Sequence, residues 1–150
     1  MSGDSAGFMR RALEEAEAAG ARGEIPVGAA LVCDGEVIAA AGNRNRELAD
    51  VTAHAEVLAI RDGAKKLGNE RLSECDLYVT LEPCTLCAAA ISFARIRRLY
   101  YGAPDLKGGA VDHGVRFFAA ATCHHAPEVY AGIGETASAA LLQRFFRARR

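Results

Sequence analysis

Residues 76–103 read DLYVTLEPCTLCAAAISFARIRRLYYGA. Asp76 to Leu81 predicts a strand, which Pro83 breaks. Thr85 to Ala94 predicts a helix that starts at a cysteine pair, and Arg98 to Gly102 predicts the next strand. Strand, crossover helix and strand form the unit that pairs strands in parallel. Upstream, a helix is expected from near Thr52 to about Leu67, stopped by Gly68, with Val57, Leu58, Ile60, Ala64 and Leu67 on its buried side. Before it, Val27 to Cys33 and Glu36 to Ala41 flank Asp34-Gly35, a strong hairpin signal, and a loop follows at 42–46. Ser5 to Ala21 reads as a helix: Phe8, Met9, Ala12, Leu13 and Ala16 recur at helical spacing, and Gly20 and Gly23 supply the stop. Downstream, 115–121 is ambiguous and Pro127 to Gly132 predicts a short extended piece. Glu135 to Arg150 predicts a final helix, with Ala139, Leu142, Phe145 and Phe146 facing the core. The order is that of an α/β fold whose sheet mixes a hairpin with crossovers.

The 150 residues predict a single domain spanning 1–150. No apolar run is long enough for a membrane span, and no basic stretch followed by an apolar block marks a secretory signal. A soluble, cytoplasmic protein is therefore expected. A net charge of −1 argues against broad, sequence-blind nucleic-acid binding but leaves room for a local basic patch. Arg144, Arg147, Arg149 and Arg150, all in the last seven residues, are the candidate. The five cysteines are odd in number, which speaks against a disulfide framework. Cys84 and Cys87 form a C-x-x-C pair, which points to metal or redox chemistry.

A catalytic zinc takes three protein ligands and leaves one position for water. His54, Cys84 and Cys87 supply one imidazole and two thiolates. The two cysteines lie three residues apart at a helix start, where they can point the same way and where the helix dipole favours the thiolate. His54 also lies at the start of its helix, so two helix N-termini side by side could bring all three to one metal. Glu56, two residues on, is close to such a metal without being needed as a ligand. A carboxylate there can move a proton from the activated water to a substrate nitrogen.

H-x-E together with P-C-x-x-C is the signature of zinc nucleobase deaminases as a class, so this match is a recognition rather than a deduction from spacing. The likeness extends through IPVGAALV (25–32), GNR (42–44), TAHAE (52–56), YVTLEPCTLCAAAI (78–91), RIRRLYYGA (95–103) and RFFRARR (144–150). In these runs the chain resembles the bacterial tRNA-specific adenosine deaminases, most closely in its centre and least from about Gly114 to Ala131. Val51 and Asn45 stand where many members carry proline.

The resemblance implies a cytidine deaminase-like three-layer α/β/α sandwich around a mixed sheet of about five strands. It implies conversion of adenosine to inosine at the wobble position of a tRNA anticodon, in bacteria chiefly an arginine tRNA. By matching position, His54, Cys84 and Cys87 would hold one Zn2+ per subunit and Glu56 would shuttle protons. Asn43 would hydrogen-bond the flipped nucleotide, and the main chain at Ala55 would meet the base edge. Val27 and Leu81 would wall the pocket. Members are homodimers whose groove for the anticodon stem-loop uses both subunits, with the basic C-terminal helix along the RNA.

Other readings stand beside these. C-x-x-C after a strand is also the thioredoxin arrangement, which leaves His54 and Glu56 unexplained. A closed structural zinc would need Cys75 or Cys33 as fourth ligand. Cys33, Cys75 and Cys123 read as inert, and Cys123-His124-His125 as surface or substrate-loop detail. The arginine-rich tail can be a solvated helix end that complements the dipole. Lys107-Gly108-Gly109 is a phosphate-touching loop or a turn, and Arg95, Arg97 and Arg98 read as salt-bridged surface. A deaminase of free guanine, cytosine or a nucleoside would use the same zinc chemistry, because pocket shape selects the base.

Overall fold

The computed structural model describes residues 2–149. Helix α1 (Ser2–Ala21) is followed by strands β1 (Gly28–Cys33) and β2 (Glu36–Gly42), a single helical turn α2 (Asn45–Leu48) and helix α3 (Ala55–Leu67). Strand β3 (Cys75–Leu81), helix α4 (Thr85–Phe93), strand β4 (Arg98–Ala103), a 3-10 turn at Phe117–Ala119, strand β5 (Glu128–Tyr130) and helix α5 (Glu135–Ala148) complete the chain. The strands form one sheet in the order β2-β1-β3-β4-β5. β1 is antiparallel to both β2 and β3, while β3, β4 and β5 run parallel. Asp34 and Gly35 both take positive φ, 52° and 74°, as the expected two-residue hairpin requires.

Helices α1 and α5 cover one face of the sheet, and α3 and α4 cover the other, so the expected three-layer α/β/α sandwich is what the chain adopts. On the α1 side Met9, Ala12, Ala30, Val32, Tyr78 and Tyr100 are buried together. On the α3/α4 side the larger core gathers Leu31, Leu77, Val79, Ile91, Ile96 and Leu99. α1 approaches the sheet at backbone distance over Gly28 and Gly42, which are register partners. A Cβ on Gly28 would lie 2.0 Å from the Ala12 carbonyl oxygen, and one on Gly42 would lie 2.6 Å from that of Glu15.

Several expectations need correction. α3 begins at Ala55 rather than near Thr52, because the Asp50 carboxylate takes the Thr52 amide at 2.8 Å and its hydroxyl at 2.7 Å in a turn. The buried stripe of α3 is Ala55, Glu56, Ala59 and Gly63. Val57, Leu58, Ile60 and Ala64 flank it half-buried, and Leu67 is exposed. The helix lies too close to β1 for larger residues: a Cβ on Gly63 would sit 2.2 Å from Leu31 Cδ2. On α5 the residue facing the core is Ser138, seated against Gly102 of β4, while Phe146 is exposed. The loop expected at 42–46 runs into α2, because the buried Glu24 carboxylate accepts the amides of Arg46 (3.1 Å) and Glu47 (2.9 Å). No helix among the described residues is long and apolar enough to cross a membrane.

Candidate active site

The chemistry-bearing residues meet where β3 ends and two helices begin. His54 is the N-cap of α3 (φ −77°, ψ 152°) and Cys84 the N-cap of α4 (φ −77°, ψ 179°). Both are in extended conformation, yet neither side chain makes a capping hydrogen bond. They turn toward each other instead. His54 Nδ1 lies 3.6 Å from Cys84 Sγ and 3.3 Å from Cys87 Sγ. The three ligand atoms all lie within 4.8 Å of one another, the one such group among the described residues.

This donor set fits zinc. Zn–S of about 2.3 Å and Zn–N of about 2.0–2.1 Å at tetrahedral angles place S and N about 3.6 Å apart, close to the spacing here. The protonation pattern agrees. A hydrogen bond from the Cys87 thiol, then one from the His54 ring, holds the Cys84 thiol down at about 4. Bonding to Cys84 first, and burial second, pushes Cys87 up. The same Cys84 contact raises His54. Ligands bind a metal in their deprotonated form, so a lowered Cys84 thiol beside two further nitrogen and sulfur donors is the donor chemistry that a divalent cation takes.

Glu56 is buried on the first turn of α3, and burial pushes its carboxyl up to about 7. It lines a cleft of about 510 Å³ together with His54, Cys84, Val27, Asn43 and Leu81. Asn43 is committed within the protein: its Oδ1 accepts the Ala55 amide at 2.8 Å, and its Nδ2 donates to the Ile25 carbonyl at 3.1 Å. Arg22 donates to the Asn43 carbonyl at 3.1 Å. Asn43 therefore ties the segment before β1 to the N-terminus of α3.

The lining of the cleft also includes Glu24, Arg46, Glu82, Asp105, Phe145 and Arg149. The Arg149 guanidinium lies 3.7 Å over the Phe145 ring. Arg144 lines a separate cleft between α1 and α5, and Arg147 faces another side of α5. Lys107 is exposed, and Arg150 lies outside the described residues. Among the described residues of the basic tail, Arg149 is the member that lines this cleft.

Cys75 and Cys33 pair across β3 and β1 at the end away from Cys84. The six steps from Cys75 to Leu81 span about 20 Å, so neither can be a fourth ligand. Cys123 Sγ donates to the His125 carbonyl at 3.1 Å, and the Ser92 hydroxyl donates to the same oxygen at 2.7 Å, which fastens this loop to α4. Arg97 makes a two-point contact with the buried Asp76 carboxylate, Arg98 lies within 4 Å of Asp76 and of the exposed Glu128, and among the described residues Arg95 makes no salt bridge, so the expected surface pairing holds only for Arg98 with Glu128.

Sequence reasoning passed over Glu24 and Glu82. Glu82 carries the richest set of contacts in the region. Its wholly buried carboxylate accepts the amides of Asp105 (3.0 Å), Val111 (3.1 Å), Asp112 (2.9 Å) and His113 (3.1 Å). The His113 ring Nδ1 adds a contact at 2.7 Å. The readable signal was a carboxylate at a strand end directly before P-C-x-x-C.

Residues 3–103 match the family described as the cytidine and deoxycytidylate deaminase zinc-binding region. A tRNA-specific adenosine deaminase of Agrobacterium fabrum is 66% identical over 143 residues, covering 95% of this chain and 94% of that protein. The tRNA-specific adenosine deaminase of Haemophilus influenzae is 48% identical over 144 residues, covering 95% and 83%. A solved structure from work on A-to-I editing by tRNA:A34 deaminases at the wobble position superposes with a TM-score of 0.89 at 67% identity, covering 90% of this chain and 98% of that one. A guanine deaminase from Nitrosomonas europaea superposes with a TM-score of 0.81 at 26% identity, covering 93% and 83%.

Proposed function

Because the chain belongs to the zinc-binding cytidine and deoxycytidylate deaminase family, and within it to the tRNA-specific adenosine deaminases, we propose that it deaminates adenosine to inosine at the wobble position of a tRNA anticodon. The observation that carries this reading is a buried carboxylate beside a His/Cys/Cys donor set at the base of an open cleft.

His54, Cys84 and Cys87 would hold one zinc ion per subunit. When bound, it supplies Lewis-acid activation of the attacking water. Glu56 does the proton work. With its carboxyl raised to about 7, it can accept and release a proton near neutrality. It takes a proton from the water as the C6–O bond forms and delivers it to N1; it then takes the second proton from the C6 hydroxyl as the carbonyl forms and passes it to the departing C6 amino group as the C6–N bond breaks. Water is consumed, ammonia leaves and inosine remains. Val27 and Leu81 wall the flipped base. The second hydrogen of Asn43 Nδ2 is left for the substrate, and Asn43 with Ala55 presents the edge that meets the base. An anticodon loop is single-stranded, so splaying its base costs little.

Residues 1–150 act as one domain in this reading, and two copies form a homodimer. α4 carries no charged residue, yet its outer face leaves Leu86 and Phe93 exposed seven residues apart. An apolar face of that kind calls for cover, and a second copy supplies it while completing the groove for the anticodon stem-loop. Lys107, Arg144, Arg147, Arg149 and Arg150 contribute to RNA contact as a group. The preferred substrate is an arginine tRNA, met in the cytoplasm.

The test incubates zinc-loaded protein with an adenosine-wobble arginine tRNA, with free adenosine, cytosine and guanine in parallel. Inosine at the wobble position, absent with Glu56→Ala, is the expected result. Ammonia released only from a free base would overturn the tRNA assignment while keeping the zinc chemistry.

A further inference from the structure

Glu82 has no part in the proton transfers above, yet it is the most heavily bonded carboxylate in the region. Its Oε1 accepts the Asp105 amide and meets His113 Nδ1, and its Oε2 accepts the amides of Val111, Asp112 and His113. All of these belong to the segment 105–113 between β4 and the 3-10 turn. The segment wraps the carboxylate closely: a Cβ on Gly109 would lie 2.6 Å from Glu82 Cδ and 2.4 Å from the Asp105 carbonyl oxygen. Asp105 in turn holds the amides of Lys107 (3.1 Å) and Gly108 (2.9 Å) on its Oδ1. A second tie runs from the Ala110 amide to the Pro83 carbonyl at 2.9 Å. Lys107-Gly108-Gly109, ambiguous as sequence, thus lies in an anchored loop, 105–113, whose first residue, Asp105, lines the cleft.

A side chain with no exposed surface cannot touch RNA. It acts through the loop that it holds. The amide hydrogens around it need an acceptor, and hydrogen bonds to a charged group are the strong kind. Resting on the tRNA deaminase reading, we propose that Glu82 is a positioning residue for substrate recognition. It fixes the 105–113 loop at the rim in the shape that receives the nucleotides flanking the target base, so RNA binding depends on it and the chemical step does not.

Glu82→Gln is nearly isosteric and tests this directly. Whichever way the amide turns, its NH2 faces N–H donors that the carboxylate accepted. Steady-state deamination of an adenosine-wobble anticodon stem-loop should show KM raised about tenfold or more. The turnover number should stay within about twofold, with zinc content unchanged. His113→Ala, which removes one contact from a half-exposed ring, should move KM the same way by a smaller factor. An unchanged KM in Glu82→Gln, or a turnover number that falls together with zinc content, overturns the inference. Should Glu82→Gln fail to fold, His113→Ala and Gly109→Ala decide, and normal KM in both overturns it. Wild-type protein that leaves the stem-loop unmodified would instead overturn the deaminase reading on which the inference rests.

Discussion

Asn43→Ala removes the strut between the segment before β1 and the start of α3. Two hydrogen bonds go with it: the Ala55 amide loses its 2.8 Å acceptor, and the Ile25 carbonyl loses its 3.1 Å donor. Ala55 is fully buried, so no water replaces the acceptor. An orphaned buried amide costs about 1–3 kcal/mol, while the Ile25 carbonyl keeps the Val27 amide at 2.8 Å and adds little. A loss of about 2 kcal/mol lowers Tm by about 4–8 °C in a chain of this size. Calorimetry at one fixed zinc concentration measures it, since bound metal shifts the midpoint by mass action. The Ala55 amide has no helical acceptor of its own, so its hydrogen-exchange protection should also fall. A shift under about 2 °C with that protection intact would refute the account of Asn43 as a strut.

Glu56→Gln should keep its zinc and lose turnover by about 10²–10⁴-fold, read from inosine formation beside metal analysis. After chelation, iodoacetamide should label Cys84 first, because its thiol is held at about 4, and leave Cys75 unlabelled, because burial raises it to about 12; peptide mass mapping reads the order. Gly28→Ala places a Cβ 2.0 Å from a helix carbonyl oxygen and should cost about 1–3 kcal/mol or more, seen as a lower Tm. Gly7→Ala meets nothing within 4 Å on α1 and should instead raise stability by about 0.5–1 kcal/mol.

The sequence carried the elements well where the pattern was short-range. Asp34-Gly35 names its own turn, and the α1 positions Met9, Ala12 and Ala16 are buried as their spacing requires. It carried the metal cluster too, because His54, Cys84 and Cys87 announce themselves by residue type. It misled where packing distance overrides hydrophobicity. On α3 the sheet lies so close that Ala59 and Gly63 take the inner face and Leu67 is turned out. On α5 the close approach to Gly102 seats Ser138 against the sheet, and Phe146, two turns further on, is exposed. Glu24 left no mark in the sequence, because its amide partners lie more than twenty residues on, and Glu82 left only its place before P-C-x-x-C, which does not say what it binds.

The Gly28–Gly42 pair sets a mechanical boundary on the substrate cleft. Val27 and Asn43, immediately beside these glycines, form one wall, and α1 bears on that wall through main-chain atoms. Main chain has no rotamers through which to give way, so this side behaves as a hard stop. The opposite rim is held by hydrogen bonds to the Glu82 carboxylate and by one main-chain tie from Ala110 to Pro83. Efforts to retune this cleft for a larger or smaller base should leave the glycine side alone and work on 105–113, whose position is set by side-chain hydrogen bonds that substitution can change.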